Sequence, residues 1–261
     1  MSEAPHLLVE RDGPLVVLRL NRPAALNALT TEMIERFDAE VRPLAEDRSV
    51  RAFLLTGAGR AFCAGGDVGG MSGGERTYES MLAGMRRVHG WVKALRSSDA
   101  ILVSAVNGAA AGGGFGLALL ADVVLAAQGA FFKGGFTALG VAADYGLGWT
   151  LPRAVGEIRA AEILFSDRRI PAEEAHRLGF VGRLLPDEGF AEAALAFARQ
   201  MAAVPFGATL TKRLLRQGER EAFAGYLDAE ADAQARAFQS EDFREGVAAF
   251  QAKRPAVFRG R

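Results

Sequence analysis

The stretch Ser104-Ala-Val-Asn-Gly-Ala-Ala-Ala-Gly-Gly-Gly-Phe-Gly-Leu-Ala-Leu-Leu120 decides how the rest of the chain is read. It continues from an apolar run of strand length, residues 101–106. Asn107-Gly108 is a turn signal, three glycines follow at 112–114, and small residues run on with helical character through Leu120. Glycines ahead of a helix leave backbone N–H groups without intrahelical acceptors and without side chains to screen them. The helix dipole adds partial positive charge at the same place. Such a turn suits an oxygen that gains negative charge during a reaction. It suits close packing of a helix on a sheet equally well, and from this stretch alone both readings stand. It is neither a dinucleotide nor a P-loop fingerprint, because the glycine register and the Gly-Lys-Ser/Thr signature are missing.

A second turn of the same kind lies upstream. Residues 50–55 read as a buried strand that runs into Thr56-Gly-Ala-Gly-Arg60 and then Ala61-Phe-Cys-Ala-Gly-Gly-Asp67. If the two parent strands are neighbours in one sheet, both turns fall at one edge. Two N–H groups then converge on a single oxygen, and each such preorganised donor contributes about 3 kcal/mol to a transition state.

Around these turns the pattern alternates. Residues 7–10 and 15–20 form a hairpin about Asp12-Gly13, and a helix follows Asn27 with Thr30 or Thr31 as N-cap and Met33, Ile34, Phe37 and Val41 inward. A loop is expected at 69–74, including Met71 and Ser72, then a helix at 78–95 and a strand at 122–127. Helices at 157–165 and 172–178 and a strand at 180–185 complete the alternating part. The remainder reads as helices at 190–203, 207–217, 221–239 and 241–252. Alternation predicts an α/β fold with a parallel or mixed sheet. The helical tail must bury its apolar face on its own body or on a neighbouring subunit, and the run from Glu219 to Glu241 reads mainly as an exposed face.

Half of the 261 residues are hydrophobic, enough for one full core. Lysine plus arginine equals aspartate plus glutamate at 31 each, which argues against nucleic acid as the main partner. The single cysteine, Cys63, precludes an internal disulfide and fits a reducing compartment. The first residues lack a signal-peptide pattern, and the uncharged run through 108–121 is too glycine-rich for a membrane span. The expectation is a soluble cytoplasmic protein. His6, His89 and His176 are scattered without metal-ligand spacing, and Cys63, with no histidine near it in sequence, reads as a structural thiol.

Asn21-Arg-Pro with Leu26-Asn-Ala-Leu29, the Thr56–Asp67 segment, Val106-Asn-Gly with Gly112–Gly114, Leu151-Pro-Arg with Gly156, and Arg244-Glu-Gly-Val-Ala-Ala-Phe-Gln-Ala-Lys-Arg254 together resemble the crotonase (enoyl-CoA hydratase/isomerase) superfamily, block by block and in order. The resemblance implies a crotonase (ClpP-like) spiral of ββα units over residues 1–200 and a C-terminal α-helical trimerisation region over 201–261. It implies a homotrimer or homohexamer acting on acyl-CoA thioesters, with coenzyme A as part of the substrate and no separate cofactor or metal. By the same resemblance the thioester oxygen is held by the amides of Ala64 and Gly113. Arg22, Ala24, Ala25, Leu26, Gly66, Asp67 and Val68 lie along the coenzyme A. Phe250 and Lys253 reach the coenzyme A of an adjacent subunit. From their apolar character Phe115, Phe132, Phe136 and Leu139 are candidate walls of the acyl pocket, and Trp149 reads equally as a further wall or as core packing.

The departures from the family pattern narrow the chemistry. Where family hydratases carry two glutamates, this chain has Gly116 and the segment Lys133-Gly-Gly-Phe136. Water addition needs groups to activate water and to manage the α-carbon proton, so hydration by the usual mechanism is not expected. One acid remains: Asp144, in Val141-Ala-Ala-Asp-Tyr-Gly-Leu-Gly-Trp149, resembles the lone aspartate of isomerases such as the ring-1,2-epoxyphenylacetyl-CoA branch. A single base suffices for double-bond migration. The other readings are an N-cap role for Asp144, a hydratase or other crotonase-type lyase or hydrolase, and a catalytically silent acyl-CoA-binding protein.

Overall fold

Strands β1 (Leu7–Asp12) and β2 (Leu15–Leu20) form the hairpin that Asp12-Gly13 requires, with Gly13 at φ +58°. The architecture is taken from a computed structural model, which describes residues 4–69 and 77–260. Thr30 caps α1 (Thr31–Arg36) by accepting the Met33 N–H at 3.2 Å. The helical path widens by one turn over Phe37–Val41 and continues as α2 (Arg42–Glu46), burying Met33, Phe37 and Val41.

A ββα unit then repeats. It runs β3 (Ala52–Gly57), β4 (Ala61–Cys63) and α3 (Tyr78–Ser97), then β5 (Ile101–Val106), β6 (Ala109–Ala111) and α4 (Gly113–Leu119). The third unit is β7 (Val123–Ala127) and β8 (Phe131–Lys133), followed by α5 (Leu147–Val155) and α6 (Glu157–Ser166). Next come β9 (Arg169–Pro171), α7 (Ala172–Leu178) and β10 (Arg183–Leu185), and the chain ends in α8 (Phe190–Ala202), α9 (Phe206–Leu215), α10 (Glu219–Ala237) and α11 (Glu241–Gln251). Long strands build one sheet in the order β1-β2-β3-β5-β7-β10, and short strands build a second, β4-β6-β8-β9. From β2 onward the large sheet is parallel. Its β3–β5 register (Ala52↔Ile101 to Thr56↔Ala105) and the β4–β6 pairing send both glycine turns out of the same edge.

The strand expected at 180–185 is shorter, because the amides of Phe180 and Val181 bond back to Ala175 and finish α7. The three-residue strands of the small sheet are too short to show alternation. Beyond Gly69, the loop expected at 69–74, with Met71 and Ser72, lies outside the described residues.

Trp91 stacks on Phe37 with centroids 4.3 Å apart, and Phe115, Phe132 and Phe180 form a mutual cluster at 5.1–5.5 Å. Aromatic pairs of this kind add about 0.5–1.5 kcal/mol beyond their buried area. Phe115 and Phe132 are fully buried in that cluster, so they belong to the core rather than to a pocket wall. The tail does bury a face on its own body. Helix α10 lies against α3 and carries Phe223, Leu227, Ala231 and Ala235 inward. Helix α9 leaves Phe206, Leu210 and Leu214 in solvent. Among the described residues no helix is long and apolar enough to cross a membrane.

Candidate active site

The two glycine turns touch. A Cβ built on Gly65 would stand 2.9 Å from the Ala111 carbonyl and 3.5 Å from Gly112 Cα. Gly112 itself sits at φ +52°, ψ −129°, a conformation that residues with a side chain avoid. The N–H of Gly113, the first residue of α4, meets no acceptor among the described residues, as expected at a helix start.

In the upstream turn the free amide differs from the expected one. Ala64 donates its N–H to the Leu26 carbonyl at 3.0 Å, Gly65 donates to Cys63 Sγ at 3.5 Å, and Asp67 donates to the Leu29 carbonyl at 3.1 Å. Gly66 alone in this run has an N–H without an acceptor among the described residues. The expectation of Ala64 as donor is therefore corrected. The cause is the bridge between segment 26–29 and this turn, which consumes the Ala64 amide and spares that of Gly66.

That bridge also gathers much of the coenzyme A segment named from the sequence. Asn27, fully buried at φ +57°, accepts the Arg22 N–H at 2.8 Å and donates to the carbonyls of Ala58 and Ala61. Arg22 Nη1 bonds Asp67 Oδ2 at 2.9 Å and the Ala28 carbonyl at 3.2 Å. Ala24 is exposed, and Ala25, Leu26 and Val68 are half-buried.

Asp144 reaches the start of α4. A Cβ on Gly113 would lie 3.3 Å from Asp144 Oδ1 and 2.8 Å from the Tyr145 ring. Oδ1 is buried and has no hydrogen-bond partner, whereas Oδ2 accepts Gln234 Nε2 at 3.2 Å. Burial, with the nearby Glu230 carboxylate second, holds the Asp144 carboxyl well above its ordinary value of 3.8. The N-cap reading is not realised. Gly146 occupies the cap position of α5, with no side-chain bond to the helix.

The two positions that lack glutamate are filled. A Cβ at Gly116 would be 2.7 Å from both the Asp144 carbonyl and Tyr145 Cβ. Tyr145 takes φ +53°, costly for a bulky residue by about 1–3 kcal/mol, and its ring lies tilted at 5.8 Å from Trp91. Phe136 is buried and apolar.

The sequence reading missed the far side of this site. Glu230 and Gln234 on α10 are almost fully buried rather than part of an exposed face. Glu230 accepts the Gly146 N–H at 3.0 and 3.2 Å and pairs with buried His89 at 3.0 Å. The signal was present: both residues fall on the helical stripe Phe223, Leu227, Ala231, Phe238 and so point inward with it.

Other expected site residues fall elsewhere. Trp149 donates Nε1–H to Glu219 at 2.9 Å, with Arg153 stacked 3.2 Å over its ring, so the indole is part of a charged network. Leu139 is half-buried, its backbone packed against Gly246 of α11. Phe250 and Lys253 stand exposed at the end of α11. Burial pushes the Cys63 thiol up to about 12, which suits a structural role. Among the described residues no cluster of three His, Cys, Asp or Glu side chains could hold a metal ion.

An open amide beside a carboxyl with a raised pKa, with a second open amide in the turn that touches it, can stabilise an oxyanion and move a proton next to it. The enoyl-CoA hydratase/isomerase family model matches residues 10–261. A curated relative, 1,2-epoxyphenylacetyl-CoA isomerase of Escherichia coli K12, is 38% identical over 251 residues, 95% of each chain. A probable enoyl-CoA hydratase of Rhodobacter capsulatus is 40% identical over 248 residues, again 95% of each. The crystal structure of an enoyl-CoA hydratase/isomerase from Pseudoalteromonas atlantica T6c superposes with a TM-score of 0.86 at 30% identity, covering 97% of this chain and all of that one.

Proposed function

Because the chain belongs to the enoyl-CoA hydratase/isomerase, or crotonase, family, we propose that the reaction it performs on acyl-CoA thioesters is double-bond migration with Asp144 as the sole acid/base. The observation that carries this is Asp144 Oδ1, buried, unpartnered and set beside Gly113. No carboxylate stands at 116 or 136 to serve as a second group.

With the thioester oxygen on the amides of Gly66 and Gly113, ionised Asp144 takes a proton from the α-carbon. The electron pair of the broken C–H bond delocalises into a dienolate, whose charge rests on that oxygen. Asp144 then returns the proton to the γ-carbon, and the double bond moves into conjugation with the carbonyl. Burial raises the basicity of the carboxylate toward what this proton transfer needs.

The test offers purified protein a 3-enoyl-CoA and follows conjugation in the ultraviolet, for wild type and Asp144→Asn. Retained turnover in the variant removes Asp144 from the mechanism. Incorporation of oxygen from isotopic water into the product would replace isomerisation by hydration. Assembly as a homotrimer or homohexamer is supported by the exposed Phe206, Leu210, Leu214 and Phe250. Phe250 and Lys253 would then meet the coenzyme A of the adjacent subunit. Sedimentation measurements that find a monomer would remove this part.

A further inference from the structure

Gln234 holds the Asp144 loop at two points. Its Oε1 accepts the Ala142 N–H at 3.1 Å, and its Nε2 donates to Asp144 Oδ2 at 3.2 Å. The first contact fixes the second, since a backbone N–H can only donate and the amide oxygen must face it. One turn earlier on the same helix, Glu230 holds the Gly146 N–H. Helix α10 thus grips the Asp144 loop from both sides.

From this geometry we infer that Gln234 is a positioning residue that selects Oδ1 as the proton-carrying oxygen of Asp144 and holds it at Gly113. Oδ2 receives a fixed N–H and so remains an acceptor in both protonation states. The proton therefore resides on Oδ1, which has no other partner and faces the α4 start. The two carbons between which the proton moves are served by one oxygen, and the carboxyl does not rotate between abstraction and return. This inference rests on the isomerase reading above.

The titratable groups around Asp144 are Glu230 and Tyr226 of α10, Cys63 of β4 and the adjoining Tyr145, with His89 of α3 behind Glu230. None of them donates to Oδ2. Removing the Gln234 donor therefore disfavours the ionised carboxylate.

In Gln234→Leu, kcat with a 3-enoyl-CoA should fall about tenfold or more while KM stays within about twofold. The acidic limb of the kcat/KM profile should move to higher pH. Gln234→Glu retains an oxygen for the Ala142 N–H, conserves shape if the leucine variant folds poorly, and places an acceptor against Oδ2. Its acidic limb should move further in the same direction. In an Asp144→Asn background, Gln234→Leu should add no further loss of kcat. An unchanged kcat and acidic limb in both folded Gln234 variants, with Asp144→Asn inactive, overturns the role of Gln234 alone. A loss of kcat with an unmoved limb overturns it too, by reducing Gln234 to a packing residue. An active Asp144→Asn instead overturns the isomerase reading, so the two failures are distinguishable.

Discussion

Asp122 and Asp144 are two largely enclosed aspartates treated in opposite ways. Asp122 stands ahead of β7. Its Oδ1 accepts Arg216 at 2.8 Å, and its Oδ2 accepts Lys212 at 2.7 Å and the Leu102 N–H at 2.9 Å. Burial alone would raise its pKa, but Lys212 and Arg216 outweigh burial and hold it below the ordinary value. At Asp144 burial comes first and the nearby Glu230 carboxylate second, the Gln234 amide and the residue's own N–H offset them only in part, and the pKa goes up. The difference shows how a fold separates structure from chemistry. An acid that only holds elements together is surrounded by donors, while Asp144, the acid proposed to exchange a proton, keeps an open oxygen at an energetic cost.

The comparison can be broken or sharpened at several points. The largest effect is expected from Asp144→Asn: turnover of a 3-enoyl-CoA falls about 10²–10⁴-fold in steady-state assays, while thermal unfolding shows no loss of stability. Asp122→Asn should do the reverse. It leaves Lys212 and Arg216 facing a neutral amide and costs about 3 kcal/mol in denaturant unfolding, with kcat of the folded enzyme near wild type. Gly116→Glu restores a carboxylate in sequence, but its Cβ would press on the Asp144 carbonyl and Tyr145. The expected result is about 1–3 kcal/mol of destabilisation and no gain of water addition to a 2-enoyl-CoA.

The smallest effect is the pH dependence of stability, and its sign differs between the two acids. The lowered pKa of Asp122 contributes stability above the unfolded carboxylate value that is lost as pH falls through the folded one. For Asp144 the folded pKa is raised, so the native state binds the proton more tightly and the cost of ionisation grows as pH rises above about 4. Asp144→Asn should therefore match wild type in Tm at acidic pH and exceed it at neutral pH. Each kcal/mol recovered corresponds to about 2–4 °C. Equal Tm values across the whole range would contradict the assigned direction.

Much of this arrangement is legible in the sequence. The strands at 50–55 and 101–106 are readable as apolar runs, but their adjacency stands in the sequence only as a condition, and the β3–β5 pairing meets it. Asp144 stood out because Gly116 and Phe136 occupy the positions where carboxylates were expected. The Ala64 assignment failed for a local reason. Which amide of Cys63-Ala-Gly-Gly-Asp67 is free depends on its pairing with residues 26–29, and periodicity says nothing about pairing. Glu230 and Gln234 were lost for a different reason. On a helix rich in Glu, Asp, Gln and Arg, the stripe Phe223, Leu227, Ala231 and Phe238 turns both residues inward, but the groups they bond there, the N–H groups of residues 142 and 146, lie in a distant loop that periodicity does not place. The short strands β4, β6, β8 and β9 carry too few residues to reveal a period of two.

The bond from Gln234 to Asp144 spans 90 positions along the polypeptide. Translation therefore delivers the acid long before the side chain that steadies it. A nascent chain halted after α9 would already contain both glycine turns and the aspartate, yet nothing would secure the orientation of that carboxyl. On the role inferred for Gln234, competence comes late in synthesis, when α10 docks, and a protease that clipped the polypeptide ahead of this helix would silence the chain while sparing Gly66, Gly113 and Asp144.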